Sequence, residues 1–303
     1  MFPVKLRQQL VNVHTYVVTP FREDDLYAVD YSAFASNIQF LVEQGVQVVV
    51  TGGGTGEFEA ISPDEMAELA RTALSVAGKK ALVVATLPPN LKLAAQLAPK
   101  YAAMGIEVLL GMPPLIRGQI PKNLEGTYEY FRMLAKVTEL PLMPYNTQGW
   151  QLETYLRLAE IDQIIAVKDP CHDPHPMFRA IQTLGDRFVW IGNKRHHPGT
   201  VHLRYQMGMQ AFTSGQSNFW PAPELAIHDA AQQQDWPRVI DLQRQCAVLE
   251  QLRMESDDAA MVKAAMDMVG LHGGLIRPPR LDCSPAALAT LRMSLVSLGL
   301  VNA

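Results

Sequence analysis

One local pattern, a helix-like stretch closed by a glycine and followed at once by an apolar run, occurs three times in the chain. The glycines are Gly45, Gly105 and Gly208. A glycine just past a helix adopts the left-handed conformation without a steric penalty, so the chain can turn directly into a strand. The intervals between these glycines leave room for about two and about four βα units of ~25–30 residues. The pattern therefore predicts an α/β fold, a (β/α)8 TIM barrel.

Eight apolar runs have the length expected of parallel strands that are buried on both faces. We expect the strands at residues 13–18, 46–50, 81–85, 106–110, 142–145, 164–168, 188–191 and 209–213. Helical patterns lie between them, and the clearest begins at Ser62 with a capping box closed by Glu65. Four more helical stretches follow the eighth strand. We expect a barrel over residues 1–222 and a C-terminal helical region over residues 223–303, packed on the barrel.

Composition limits the partners of the protein. Of the 303 residues 48% are hydrophobic, which suits a large core, and the net charge of −4 argues against a nucleic-acid partner. No apolar run approaches the roughly 20 residues that span a bilayer, so we expect no membrane association. The N-terminus lacks the features of a signal peptide, and the cysteines Cys171, Cys246 and Cys283 are widely spaced. This predicts a cytoplasmic protein with reduced thiols.

The active site of a βα barrel lies at the carboxyl ends of its strands. Lys168 ends the sixth predicted strand. Partial desolvation of a lysine ammonium there would lower its pKa and leave an amine nucleophile; the alternative is a lysine whose stem packs at a strand end while its charge reaches water. Tyr145 ends the fifth strand, where a phenol can pass protons to a substrate or serve as a core residue bonded to a carbonyl.

The segment at residues 51–57 follows the second strand and contains three successive glycines before Thr55. Such a loop can form a nest of backbone N–H groups that binds a carboxylate or a phosphate, although it can also be a tight turn. Alternation along the sixth strand directs Lys168, Ala166 and Ile164 inward, and Val167 and Ile165 toward the helices.

Polar residues also follow the seventh and eighth strands. We expect Gly192, Asn193 and Ser214 at the barrel mouth. Lys194 or Arg195 could pair with a distal carboxylate of a sugar acid, or belong to a solvated loop.

A metal site is an alternative, and its candidate ligands would be His172, His175, His196 and His197. No HxH or HExxH pattern supports such a site, and we predict none.

Several motifs, in this order, resemble the dihydrodipicolinate synthase / N-acetylneuraminate lyase family of class I aldolases. They are Thr19-Pro20-Phe21, Gly53-Gly54-Thr55-Gly56-Glu57, Pro113-Pro114, Tyr145-Asn146, Lys168-Asp169 and Arg277-Pro278-Pro279. The resemblance implies a (β/α)8 barrel with a C-terminal helical region, assembled as a homo-oligomer (dimer or tetramer). It implies that Lys168 forms an imine with a 2-keto acid, that Tyr145 relays protons, and that Gly54 and Thr55 hold the carboxylate. No metal or organic cofactor is expected, since the covalent imine on Lys168 supplies the electrophile.

Departures from the family pattern narrow the expected activity. Dihydrodipicolinate synthases have a second hydroxyl residue at the position of Gly54 and a relay tyrosine where this chain has Pro114-Leu115-Ile116. They also have an arginine where this chain reads Thr147-Gln148-Gly149-Trp150. The run at residues 53–58, Gly192-Asn193 and Asn218-Phe219 are more similar to the 5-dehydro-4-deoxyglucarate dehydratase branch, although Thr147 and Pro170 depart from that branch.

We therefore predict a Schiff-base-forming lyase, an aldolase or a dehydratase, that acts on a small 2-keto acid or keto sugar acid. Its catalytic residues would be Lys168, Tyr145 and Thr55, and its substrate-binding residues Gly54, Thr55, Gly192, Asn193 and Ser214. The alternatives are a dihydrodipicolinate synthase-like or other pyruvate-dependent aldolase, a metal-dependent barrel lyase, and a non-catalytic barrel that binds sugar acids.

Overall fold

A computed structural model describes residues 3–170, 173–194 and 199–302. Eight parallel strands form one sheet in the order β5-β4-β3-β2-β1-β8-β7-β6. The strands are β1 (Val13–Tyr16), β2 (Val48–Thr51), β3 (Leu82–Leu87), β4 (Val108–Gly111), β5 (Leu142–Pro144), β6 (Ala166–Lys168), β7 (Val189–Asn193) and β8 (Ala211–Ser214). All eight predicted strands are confirmed, with their ends shifted by a few residues. The (β/α)8 barrel with a C-terminal helical extension is therefore correct.

The barrel closes between β5 and β6. Parallel bridges join Leu142 to Ile164 and Tyr145 to Lys168. The N–H of Asn146 donates to the carbonyl of Lys168 at 2.8 Å. The two residues with the most specific predicted chemistry, Tyr145 and Lys168, are therefore neighbours across this closing seam.

Helices alternate with the strands and continue beyond them. They are α1 (Val4–Leu10), α2 (Tyr31–Glu43), α3 (Pro63–Ala77), α4 (Leu91–Met104), α5 (Glu125–Ala135), α6 (Leu152–Leu158), α7 (His175–Leu184), α8 (Val201–Gln206), α9 (Pro221–Gln232), α10 (Trp236–Glu255), α11 (Asp258–Met268) and α12 (Pro285–Ser297). The capping box of Ser62 and Glu65 at the start of α3 is present as predicted.

The sequence did not indicate α1. Its Leu6 and Leu10 pack with the side chains inside the barrel, at the end where β1 begins. Its Arg7 donates to the carbonyls of Asp186 and Arg187. The helix therefore covers the amino end of the barrel, and the opposite end carries the cavity described below.

The C-terminal helices pack directly on the barrel. An apolar cluster joins Val18, just after β1, to Leu249 of α10, Met261 of α11 and Leu291 of α12. Helix α9 contacts β1 and β8 and begins at Pro221. The division into residues 1–222 and 223–303 stays a prediction.

Among the described residues no helix combines the length and apolar character needed to cross a membrane.

The expected alternation at the sixth strand is correct only near its end. Ala166 points into the barrel and Val167 packs on the helix side. Ile165, however, belongs to the inner cluster and Ile164 to the outer one, so the expectation for these two residues is wrong. Regular strand β6 begins only at Ala166, and strict alternation does not apply to the residues before it.

Candidate functional site

A polar cavity opens at the carboxyl ends of the strands, as expected for this fold. Lys168, Tyr145, Thr55, Gly54, Asn193 and Ser214, all predicted for the site, line this one cavity. The remaining lining residues were not predicted from the sequence; they are Tyr16, Thr213, Gly215, Arg253, Ser256, Asp257, Asp258 and Arg280.

Gly192 does not line the cavity, in contrast to the expectation for this residue. A Cβ at Gly192 would overlap the sulfur of Met209, and Met209 belongs to the core between barrel and helices. The absence of a side chain therefore serves close packing behind β7, while the next residue, Asn193, faces the cavity.

Lys168 lies between two aromatic rings. It is 5% exposed, and its Nζ lies 3.7 Å from the centroid of the Tyr16 ring and 3.8 Å from that of Tyr145. Tyr145 is fixed by the seam of the barrel, where its N–H donates to the carbonyl of Gly111 at 3.0 Å. The side-chain nitrogen is thus held away from bulk water against two electron-rich faces.

Tyr16 is a site residue that the sequence reasoning missed. It ends β1, and its ring packs so closely on the glycine-rich loop that a Cβ at Gly53 would lie 2.5 Å from ring atom Cδ1. Burial, followed by the charge of Tyr145, raises the pKa of Tyr16 well above its usual value. Its hydroxyl has no hydrogen-bond partner in the described part of the chain. The rule that strand ends face the site could have identified it.

A buried polar cluster behind the site fixes the ends of β5 and β6. The Nδ2 of Asn146 donates to Asp169 Oδ2 and to the Tyr155 hydroxyl, both at 3.1 Å. Its Oδ1 accepts from the N–H of Gln148 at 3.0 Å and of Trp150 at 3.2 Å. The Tyr155 hydroxyl also donates to Asp169. Because Asn146 and Asp169 follow Tyr145 and Lys168 directly, this cluster limits movement of the backbone at both residues.

The glycine-rich loop is anchored by its last residue. Glu57 has a left-handed backbone and forms a buried ion pair with Lys263 of α11 at 2.5 Å. Burial is the largest cause of both shifts in this pair, a raised pKa for Glu57 and a lowered pKa for Lys263. Thr55 is buried at the cavity, and a Cβ on Gly54 would meet open space. The loop is therefore anchored to α11, and its residues Gly54 and Thr55 line the cavity.

The C-terminal region forms the remaining wall of the cavity. Arg253 donates from Nη1 to both carboxylate oxygens of Glu250, at 3.2 and 3.3 Å, and from Nε to Asp258 at 3.0 Å. Its guanidinium lies against the backbone of Gly215, where a Cβ would overlap it. Arg280 donates to Glu59 and to both oxygens of Asp257. Two arginines held by carboxylates thus face the same cavity as Lys168.

Lys194 has a different environment from the one expected. It is 2% exposed, and its Nζ lies 2.6 Å from Glu224 and 3.3 Å from Glu250. Burial by itself lowers the pKa of Lys194, but the two carboxylates outweigh this and raise it. The expectation that Lys194 meets a distal substrate carboxylate is therefore wrong, because protein carboxylates already surround it.

The other proposed basic residue, Arg195, lies outside the described residues, as do Cys171 and three histidines of the alternative metal site, His172, His196 and His197. Within residues 3–170, 173–194 and 199–302 no group of three histidine, cysteine, aspartate or glutamate side chains is arranged to hold a metal ion. Cys246 and Cys283 are free thiols.

The fold and the cavity define a barrel enzyme with a lysine at the centre of its site. Residues 9–297 match the model of the dihydrodipicolinate synthetase family. The chain belongs to this family, and it is a lyase.

Two similar curated proteins carry different names. One is a probable 5-dehydro-4-deoxyglucarate dehydratase of Bacillus subtilis, 27% identical over 91% of this chain and 90% of its own length. The other is a 4-hydroxy-tetrahydrodipicolinate synthase of Chlorobaculum parvum, 28% identical over 94% of this chain and 96% of its own length. A solved dihydrodipicolinate synthase from Oceanobacillus iheyensis superposes with a TM-score of 0.90 at 22% identity, covering 97% of this chain and 98% of that one; at this identity it supports the fold.

Proposed function

We propose that the protein is a class I lyase that binds a 2-keto acid as an imine on Lys168. The observation that carries the proposal is the position of the Lys168 nitrogen, buried at the active end of the barrel between the rings of Tyr16 and Tyr145. Burial of an amine disfavours its charged form, and a neutral amine is the nucleophile that imine formation requires.

The proposed chemistry begins with attack of the Lys168 amine on the ketone carbon. The carbinolamine then takes up a proton and loses water, which leaves a protonated imine. Its positive nitrogen accepts the electron pair released when a neighbouring C–H or C–C bond breaks, and an enamine forms. In a dehydratase the enamine then expels a β-hydroxyl group, which takes up a proton and leaves as water. In an aldolase the C–C bond breaks as the β-hydroxyl group loses its proton, an aldehyde leaves, and the enamine is then protonated. Tyr145, beside the nitrogen, carries protons to and from these groups.

The remaining lining residues are proposed to hold the substrate. Thr55 and the backbone near Gly54 bind the carboxylate next to the ketone, because the loop can direct successive N–H groups at an anion. Asn193 and Ser214, at the ends of β7 and β8, reach the hydroxyl groups further along the substrate. Gly192 is left out of the contacts because its α-carbon faces Met209.

The polar wall favours a particular substrate class. Arg280 and Ser256 offer donors to a polar or anionic tail, and Asp257 and Asp258 offer acceptors to its hydroxyl groups. A keto sugar acid has both an anionic tail and hydroxyl groups, so we favour a dehydratase that acts on such an acid over an aldolase that binds only pyruvate.

The proposal needs no metal or organic cofactor. We further propose a cytoplasmic homo-oligomer, a dimer or tetramer.

Reductive trapping tests the proposal. The protein is incubated with pyruvate and with a panel of 2-keto sugar acids, then treated with sodium borohydride, and intact masses are measured. A stable adduct is expected in the wild-type protein, with Lys168→Ala unmodified. Lys100→Ala, which removes an exposed lysine of α4 that pairs with Asp64, is the control and is expected to keep the adduct. Unmodified wild-type protein at saturating concentrations of every acid would contradict the imine.

A further inference from the structure

We propose that Tyr16 is a catalytic residue whose ring face stabilises the positive charge on the Lys168 nitrogen in the protonated imine. This inference rests on the proposed function. It assigns a role in the reaction to a residue of β1 that the sequence reasoning overlooked.

The contact is direct and two-sided. The Tyr16 ring centroid lies 3.7 Å from Lys168 Nζ, and the Tyr145 ring centroid lies 3.8 Å from the same atom. Cations within about 6 Å of an aromatic centroid are attracted by the ring quadrupole. Tyr16 comes from β1 and Tyr145 from the closing seam, so two separate parts of the barrel bring rings to one nitrogen.

The charge on this nitrogen decides whether the imine can act as an electron sink. A neutral imine draws electrons weakly, whereas the protonated imine accepts the electron pair of a breaking bond. Burial disfavours the protonated form, because it removes the charge from water. An aromatic face offsets part of that penalty. Unlike a carboxylate, it cannot take the proton from the imine. The second ring therefore keeps more of the imine protonated near neutral pH.

The hydroxyl of Tyr16 has a lesser part in this inference. It is buried and has no hydrogen-bond partner among the described residues, and burial holds its pKa well above the usual value. The ring, which touches the reacting atom, is the part that contributes.

The ring is also held in a defined place. A Cβ on Gly53 would lie 2.5 Å from Cδ1 and 2.8 Å from Cε1 of Tyr16, so only a glycine leaves room for the ring at its present position. Gly53→Ala is therefore a second way to disturb the contact while the tyrosine itself is kept.

The test measures trapping with sodium cyanoborohydride, which reduces a protonated imine, across pH 5 to 9 with pyruvate. Three variants are compared with the wild-type protein. Tyr16→Leu removes the ring, Tyr16→Phe keeps the ring and loses the hydroxyl, and Gly53→Ala displaces the ring. Circular dichroism verifies that each variant is folded.

Without the ring the imine loses its proton at lower pH. The midpoint of trapping is therefore expected to move to lower pH in Tyr16→Leu and Gly53→Ala. At pH values above the wild-type midpoint the trapping rate should fall by roughly 10- to 30-fold. Tyr16→Phe should keep the wild-type midpoint.

Two results would overturn the inference while leaving the imine on Lys168 intact. One is a wild-type pH profile in both folded ring variants, Tyr16→Leu and Gly53→Ala. The other is a shift in Tyr16→Phe as large as that in Tyr16→Leu, which would assign the effect to the hydroxyl. Failure of the wild-type protein itself to form an adduct would instead contradict the proposed function.

Discussion

Two lysines stand at the ends of adjacent strands, and their surroundings differ in kind. Lys168 ends β6, and Lys194 directly follows β7. Both are almost fully buried. Lys194 faces the carboxylates of Glu224 and Glu250, whereas Lys168 lies between the ring faces of Tyr16 and Tyr145.

The comparison indicates that burial alone does not make a lysine a nucleophile. Desolvation lowers the pKa of a buried lysine, but the two carboxylates more than reverse this for Lys194 and hold its proton. His14, buried below Tyr16 on β1, is a buried base without an ion-pair partner in the described chain. Its pKa falls to about 4, mainly because of burial. A buried lysine that carboxylates surround, such as Lys194, is therefore held in its charged form.

The largest expected effect comes from removing each lysine in turn. Lys194→Met leaves Glu224 without its cation and Glu250 with Arg253 alone, and loss of one partner from a buried ion pair costs about 3–5 kcal/mol. Lys168→Met should cost much less, because methionine can also pack between two aromatic rings. Urea unfolding of both variants measures the difference. Equal losses of unfolding free energy in the two variants would contradict the difference proposed between the two lysines.

A smaller effect is expected for His14 as a function of pH. Its folded pKa of about 4 lies below the ordinary value of 6.5, so the unfolded chain binds more protons between these values. Stability should therefore fall as the pH drops from about 6.5 to about 4, by about 3 kcal/mol from this residue.

The variant His14→Gln does not titrate, and its amide can donate to the Leu10 carbonyl as the ring Nε2 does. It should lack this part of the acid loss when unfolding is measured at several pH values. A slope of stability against pH as steep as that of the wild-type protein would show that His14 is not held neutral.

The smallest effect is expected for Tyr145→Phe. It keeps a ring beside Lys168 and removes the phenol proposed to relay protons. Positioned acid–base groups contribute at least about 100-fold to rate, so kcat should fall by about that factor while the trapped adduct persists. If both the adduct and the activity were lost, the hydroxyl would be needed for imine formation itself. The roles proposed for Tyr145 and Lys168 would then have to be reassigned.

The sequence allowed the barrel to be predicted because its elements carry local signals. Apolar runs marked all eight strands, and Ser62 and Glu65 marked the start of α3. Lys168, Tyr145, Thr55 and Asn193 could be placed together because the ends of parallel strands meet at one edge. The reversal of Ile164 and Ile165 could not be foreseen, since it depends on where regular pairing begins.

The rest of the site needed the tertiary structure. Arg253 and Arg280 are distant in sequence from the strand ends, and only packing of the C-terminal helices brings them to the cavity. The sequence did not reveal the ion-pair partners of Lys194, because Glu224 and Glu250 lie 30 and more residues further along the chain. Long-range ion pairs of this kind leave no pattern in a single sequence.

A map of the trapped lysine is the decisive measurement for the imine on Lys168. After reduction with borohydride in the presence of the keto acid that gives the largest adduct, the protein is digested and every lysine peptide is quantified by mass spectrometry. We expect the adduct on Lys168, with Lys194 and Lys263 unmodified although both are buried even more deeply. An adduct on Lys194, or one spread over the buried lysines, would contradict the proposal that Lys168 is the lysine that forms the imine.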